Sequence, residues 1–156
     1  MTRTFSKTKL NKIFRLGYKL AFETKPKKKD WQDISALWWC AAKGGHKRAQ
    51  FYLGTCYDHG LGVDKDVKEA YKWFLKAANQ GHMESQYNIG FFYNRGEIVQ
   101  QDYKKAVRWY TLAATQGDTE AHGDGVKQSN YRTKHYFEKA KSMGHKEASK
   151  QLRSLN

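Results

Sequence analysis

The 156-residue chain carries 29 Lys and Arg against 15 Asp and Glu, a formal net charge of +14, with 39% apolar residues and a single proline. A chain of this length buries roughly 70% of its unfolded surface on folding, and one proline suits a mostly helical protein. No apolar run reaches the roughly 20 residues that a membrane-spanning helix needs; the longest weakly polar one runs only from Ile34 to Ala42.

The charge is unevenly placed. Residues 1–30 hold ten basic and two acidic side chains, residues 127–156 hold eight and two, and the stretch between holds eleven of each. The body is neutral and both ends are basic. The N-terminus begins basic like a secretory signal, but Arg15 and Lys19 interrupt its apolar core and no small-residue cleavage site follows. The expected location is the cytoplasm, with export by a dedicated secretion machine left open.

In chain order, residues 1–8 read as a polar, basic, frayed start. Residues 9–23 read as a first helix, with Leu16-Gly17 in the place that Leu53-Gly54 takes later, and Glu23–Lys29 as a loop whose Lys run is solvated. A second helix spans 30–43, with Asp30 placed to cap it. From Ala49 to Gly81 the pattern sharpens. Ala49, Tyr52, Leu53, Cys56 and Tyr57 fall on one helical face. Gly60-Leu-Gly62 stops that helix. Asp66 starts the next, with Glu69 three residues on as in a capping box. Ala70, Trp73, Phe74, Ala77 and Ala78 form its apolar stripe, and Gly81 is placed to end it.

A related copy follows from Ser85 to Gly117, offset by 36: Gly54/Gly90, Tyr57/Tyr93, Gly60/Gly96, Asp66/Asp102, Trp73/Trp109 and Gly81/Gly117 are among the pairs. That is a repeat signal. A third copy begins at Ala121 and departs. His122 to Val126 match His59 to Val63, so nine residues of the first helix are missing, while Tyr136, Phe137, Ala140 and Gly144 continue the second. Residues 146–156 read as a short basic helix. The gap is filled by that helix, by a second chain, or by a segment that the sequence omits.

The pattern A-x-x-x-L-G-x-x-Y-x-x-G-x-G-V … A-x-x-W-F-x-x-A-A-x-x-G-H at 49–63 and 70–82 resembles the Sel1-like repeat, a relative of the tetratricopeptide repeat. The resemblance implies an all-α fold, an α/α solenoid of antiparallel helix pairs with 36-residue repeats, binding other proteins without enzymatic chemistry. It implies one domain over 1–156: a degenerate unit at 1–45, repeats at 46–81 and 82–117, a truncated repeat at 118–144 and a capping helix at 145–156. Some relatives carry a disulfide in each unit, which the spacing of Cys40 and Cys56 does not reproduce. Those two lie roughly 9 Å apart along the helix axis at 1.5 Å per residue, so two reduced, largely buried thiols are expected.

Residues that could carry chemistry read as structural. His46, His82 and His145 each follow a repeat glycine, at the start of the next helix. Cys56 and His59 share a helix face, but a reactive thiol needs an exposed electropositive pocket. No His/Cys spacing fits a metal site, and the glycine turns lack the strand and Lys-Ser/Thr of a phosphate loop. No metal, cofactor or catalytic residue is expected.

Partner contacts are expected on the first helix of each unit. Carried over from the tetratricopeptide relatives, the groove positions are Arg48, Phe51, Thr55, Asp58 and His59 in one repeat. In the next they are Glu84, Tyr87, Phe91, Asn94 and Arg95. In the degenerate unit they are Asn11, Phe14, Tyr18, Ala21 and Phe22. Phe14, Phe51 and Tyr87 would make an aromatic row, extended by Tyr18 and Phe91 and rimmed by polar groups, as interaction hot spots are. The partner expected is a protein or peptide, an acidic one suiting the basic ends, for an adaptor, a secreted effector or an immunity protein neutralising a toxin. The alternative is nucleic-acid or anionic-surface binding through those ends, with Phe14, Tyr18, Tyr131 and Tyr136 stacking on bases. A homo-oligomer through the truncated repeat is a further expectation.

Overall fold

The computed structural model describes residues 5–23 and 30–119, with 135, 138 and 142 beyond them. Within these lie six α-helices and no strand: α1 (Lys7–Tyr18), α2 (Trp31–Lys43), α3 (Lys47–His59), α4 (Val67–Asn79), α5 (Met83–Arg95) and α6 (Tyr103–Thr119). The Lys run at 25–29, most of the truncated repeat, including the place of its missing nine residues, and the basic C-terminal helix lie outside the described residues. The chain forms two compact units, residues 1–82 and 83–156.

In the first unit, α1 packs on α2, α2 on α3 and α3 on α4. The predicted first helix is corrected. It is α-helical only to Tyr18 and continues as a π-helical turn, Lys19–Glu23. The wider turn buries Ala21 completely while leaving Phe22 half exposed, so Ala21 is not a surface position. Leu16 is also corrected. Leu53, its counterpart, is fully buried, but Leu16 is 50% exposed.

The core of this unit gathers Phe14, Ile34, Trp38, Ala41, Ala42, Ala49, Leu53, Cys56 and Trp73. Small residues set the helix spacing. A Cβ on Gly17 would stand 2.8 Å from Trp38 Nε1, and one on Gly54 would stand 2.7 Å from the Phe74 ring. Trp38 Nε1 is buried with no hydrogen-bond partner, a cost set against the packing of that ring.

The caps follow the sequence closely. Asp30 accepts from the amides of Gln32 and Asp33, and Asp66 from those of Lys68 and Glu69. Gly60 closes α3 at φ +70°, in the left-handed region that suits glycine. The capping-box half of the prediction fails. The Asp66 amide donates to Tyr57 O at 2.9 Å, and the Glu69 carboxylate turns to Lys72.

In the second unit α5 packs on α6. Its core holds Ile89, Phe92, Ala106, Val107, Tyr110, Ala113 and Ala114. A Cβ on Gly90 would stand 2.7 Å from the Tyr110 ring, repeating the Gly54–Phe74 contact 36 residues on. The Asp102 amide donates to Tyr93 O, as Asp66 does to Tyr57. Gly117 does not end its helix as Gly81 does: α6 runs through it to Thr119, with Asp118 where a histidine follows Gly45 and Gly81.

Candidate partner-binding face

His46 organises the first unit's face. Its backbone is extended and its Nδ1 accepts from the Ala49 amide at 3.1 Å, so it caps α3. Its Nε2 lies 2.9 Å from Asn11 Oδ1, and its ring stacks on Phe14 at 4.5 Å. Burial first, and then the nearby Arg48 charge, hold its pKa below the usual histidine value. The contact recurs. His82 stacks on Phe51 at 4.6 Å, and the amides of His46 and His82 donate to Ala41 O and Ala77 O.

Around these two stacks lies a continuous set of rings. Tyr52, which sequence reasoning placed in the core stripe alone, is its hub. Phe14, Tyr18, Phe22, Trp38 and Phe51 all lie within 6 Å of it. Phe14 is only 4% exposed, covered by His46 and by the Arg48 guanidinium 5.0 Å above its ring. It therefore drops out of the expected exposed row, and it offers no face for base stacking. Tyr18, Phe51 and Tyr52 are half-buried, and Phe22 and Arg48 are exposed.

The remaining positions of this unit lie toward the C-terminal end of α3. Thr55 Oγ1 bonds back to Phe51 O at 3.1 Å, so its hydroxyl proton is taken. His59 Nδ1 meets Thr55 O at 3.1 Å and lies 3.6 Å from Asp58. Cys56 beside them is fully buried and its thiol pKa is pushed up to about 12 by desolvation, so no thiolate–imidazole pair exists there. Both cysteines are free, Cys56 buried as expected and Cys40 only half-buried.

In the second unit, Tyr87 is half-buried against Tyr110, with ring centroids 5.4 Å apart. Burial raises its phenol pKa. Phe91 is exposed, with the Arg95 guanidinium 5.8 Å from its ring. Arg95 also donates to Glu97 at 2.8 Å, and Gln101 donates to Asn94 O. Glu84 and Asn94 are half-buried. Tyr131, Tyr136, His122 and His145 lie outside the described residues.

Sequence reasoning missed a pair of buried amides. Gln50, 5% exposed, donates to Ala42 O and accepts from Gln80 Nε2 at 2.7 Å. Gln86 accepts from Gln116 in the same way at 2.7 Å. The 36-residue offset of both glutamines was the available signal. Among the described residues, no group of His, Cys, Asp and Glu could hold a metal ion, and no helix is long and apolar enough to cross a membrane.

The Sel1 repeat family model matches residues 47–82, 84–118 and 120–145. A Sel1 repeat protein from Oxalobacter formigenes superposes with a TM-score of 0.66 at 33% identity, over 92% of this chain and 62% of that one. The structure of c5321, a protective antigen of uropathogenic Escherichia coli with an SLR fold, gives 0.63 at 31%, over 92% and 32%. Rat DAP3-binding cell death enhancer 1 is 39% identical over 54 residues, 35% of this chain and 11% of that protein. The yeast Saccharomyces cerevisiae chitin synthase regulator SKT5 is 41% identical over 66 residues, 41% of this chain and 8% of that protein. The chain thus spans about a tenth of these curated relatives, with alignments of 54 and 66 residues. Its fold is the all-α solenoid of these structures.

Proposed function

The chain belongs to the Sel1 repeat family, whose members generally mediate protein–protein interaction, and we propose that it is a non-enzymatic module binding a protein or peptide on the first-helix faces of its repeats. The observation that carries this is the side-chain character of those faces. Tyr18, Phe22, Phe51 and Tyr52 in one unit, and Tyr87 and Phe91 in the other, are partly open rings, with the Arg48 guanidinium over Tyr18 and that of Arg95 over Phe91. Rigid aromatics beside polar groups give large contact area at low entropic cost. The role at cell level is that of an adaptor, a delivered effector or an immunity protein, separable by the genes that flank its own.

The test is replacement of Phe51, Tyr87 and Asn94 together by Ala. Capture of the partner from the native cell should be lost while the helical circular dichroism is retained. Capture that survives with the fold intact would remove these faces as the binding surface. Nucleic-acid binding is the weaker reading, since one of its stacking aromatics, Phe14, is buried; a gel shift at physiological salt separates the two.

A further inference from the structure

We infer that the cavity at the head of α1 and α3 takes an acidic segment of a protein partner, its side-chain carboxylates set against Lys7, Lys47 and Arg48. The inference rests on the interaction-module reading and gives that partner its chemistry. The cavity encloses about 340 Å³ between the first turns of α1 and α3 and the glycine turn before α3, with Leu10 in its lining. That is the small end of ligand-sized clefts, enough for a few side chains.

The uncommitted side-chain polar groups of this lining are donors. His46 Nδ1 accepts from the Ala49 amide, so in the neutral ring Nε2 carries the proton and donates to Asn11 Oδ1. Asn11 keeps its NH2 for another acceptor. Lys7, Lys47 and Arg48 bring donors alone and are exposed. No carboxylate among the described residues pairs with them. The Arg48 guanidinium lies over the Phe14 and Tyr18 rings at 5.0 and 5.5 Å. Stacking of this kind restrains its plane and leaves the N–H edge for bidentate contact with a carboxylate.

The local sequence offers no acid of its own. α1 carries Lys7, Lys9, Lys12 and Arg15 and no carboxylate. α2, α4 and α5 have Asp33, Glu69 and Glu84 in their first turns, but α3 opens on Lys47 and Arg48 with none. Two cations at the positive end of a helix are unfavourable there, and a bound carboxylate relieves them. A nucleic-acid backbone fits less well. The cations line one opening beside an aliphatic side chain, and of the two rings under Arg48 Phe14 is buried and Tyr18 only half open.

Fluorescence anisotropy on the full chain tests this with three labelled probes: a short Glu-rich peptide with one Leu, its Gln counterpart, and a single-stranded oligothymidylate. The Glu peptide should bind at least about tenfold tighter than the Gln peptide, and more weakly as salt rises. Lys7→Glu with Lys47→Glu should weaken it by about tenfold or more. Lys65→Glu with Lys68→Glu, an equal charge change at exposed positions near the start of α4, should weaken it less than about twofold. Circular dichroism checks that each variant folds. Equal losses from both reversals would reduce the effect to net charge and overturn the inference. So would an oligonucleotide that outcompetes the Glu peptide, or a Gln peptide that binds equally well. If any of these occurs while capture still depends on Phe51, Tyr87 and Asn94, the cavity assignment falls and the interaction module stands.

Discussion

The rings of Phe14 and His46 stack at 4.5 Å while the same His46 caps α3 through Nδ1. One side chain thus joins the packing of α1 to the start of α3. Only the form with an unprotonated Nδ1 can accept the Ala49 amide, so cap and charge state are linked.

That linkage predicts a pH dependence. The folded His46 pKa lies below its ordinary value of 6.5, from burial and from Arg48. A group depressed in this way contributes its stability fully above 6.5 and loses it as pH falls through the folded pKa. Chemical denaturation followed between pH 8 and 5 should show stability falling across the acid side of that window. His46→Asn, which retains a capping oxygen, should flatten this part of the profile. His46→Ala should cost about 1–2 kcal/mol at neutral pH.

Two glycines separate backbone strain from collision. Gly45 has φ +90° and open space around its Cα, whereas Gly62, at φ +71°, would place a Cβ onto the Trp31 carbonyl. Gly45→Ala should cost about 1–2 kcal/mol through the left-handed backbone alone. Gly62→Ala should cost more than about 3 kcal/mol, because the loop is pressed on the start of α2. Thermal melts of the two variants, compared with the parent, check the order.

The buried Gln50 holds the Ala42 carbonyl and the Gln80 amide together. Gln50→Leu removes one donor to that carbonyl, which keeps the Gly45 amide, and takes the acceptor from Gln80, at a cost of about 0.5–1.5 kcal/mol. Gln80→Ala, at an exposed position, should cost less. A double-mutant cycle on the two should return a coupling of about 1 kcal/mol, and additivity would show the contact contributes nothing.

The two thiols should differ in reactivity. Cys40 is half-buried, while Cys56 is fully buried with its pKa pushed up to about 12. At pH 8 a thiol reagent should modify Cys40 in the folded protein and reach Cys56 only after denaturant is added. Rapid modification of both would place Cys56 in an open pocket and contradict its burial.

What the sequence by itself determined is the repeat. The Gly54/Gly90 and Ala77/Ala113 positions are dictated by close helix approach, and Asp30 and Asp66 by the need of free helix amides for an acceptor. These are local demands, and each leaves its own letter at a fixed offset. The nature of the family and its helix pairs could be read from them. Tertiary structure alone decided what each ring does. Phe14 and Phe51 occupy equivalent positions, yet only Phe14 is sealed, because Arg48 and His46 both close over it. Leu16 and Leu53 are likewise the same letter with opposite burial. The π-helical turn that buries Ala21 and exposes Phe22 has no periodicity signal in five residues. Burial depends on which neighbours arrive from elsewhere in the chain, and spacing along the chain carries no record of that.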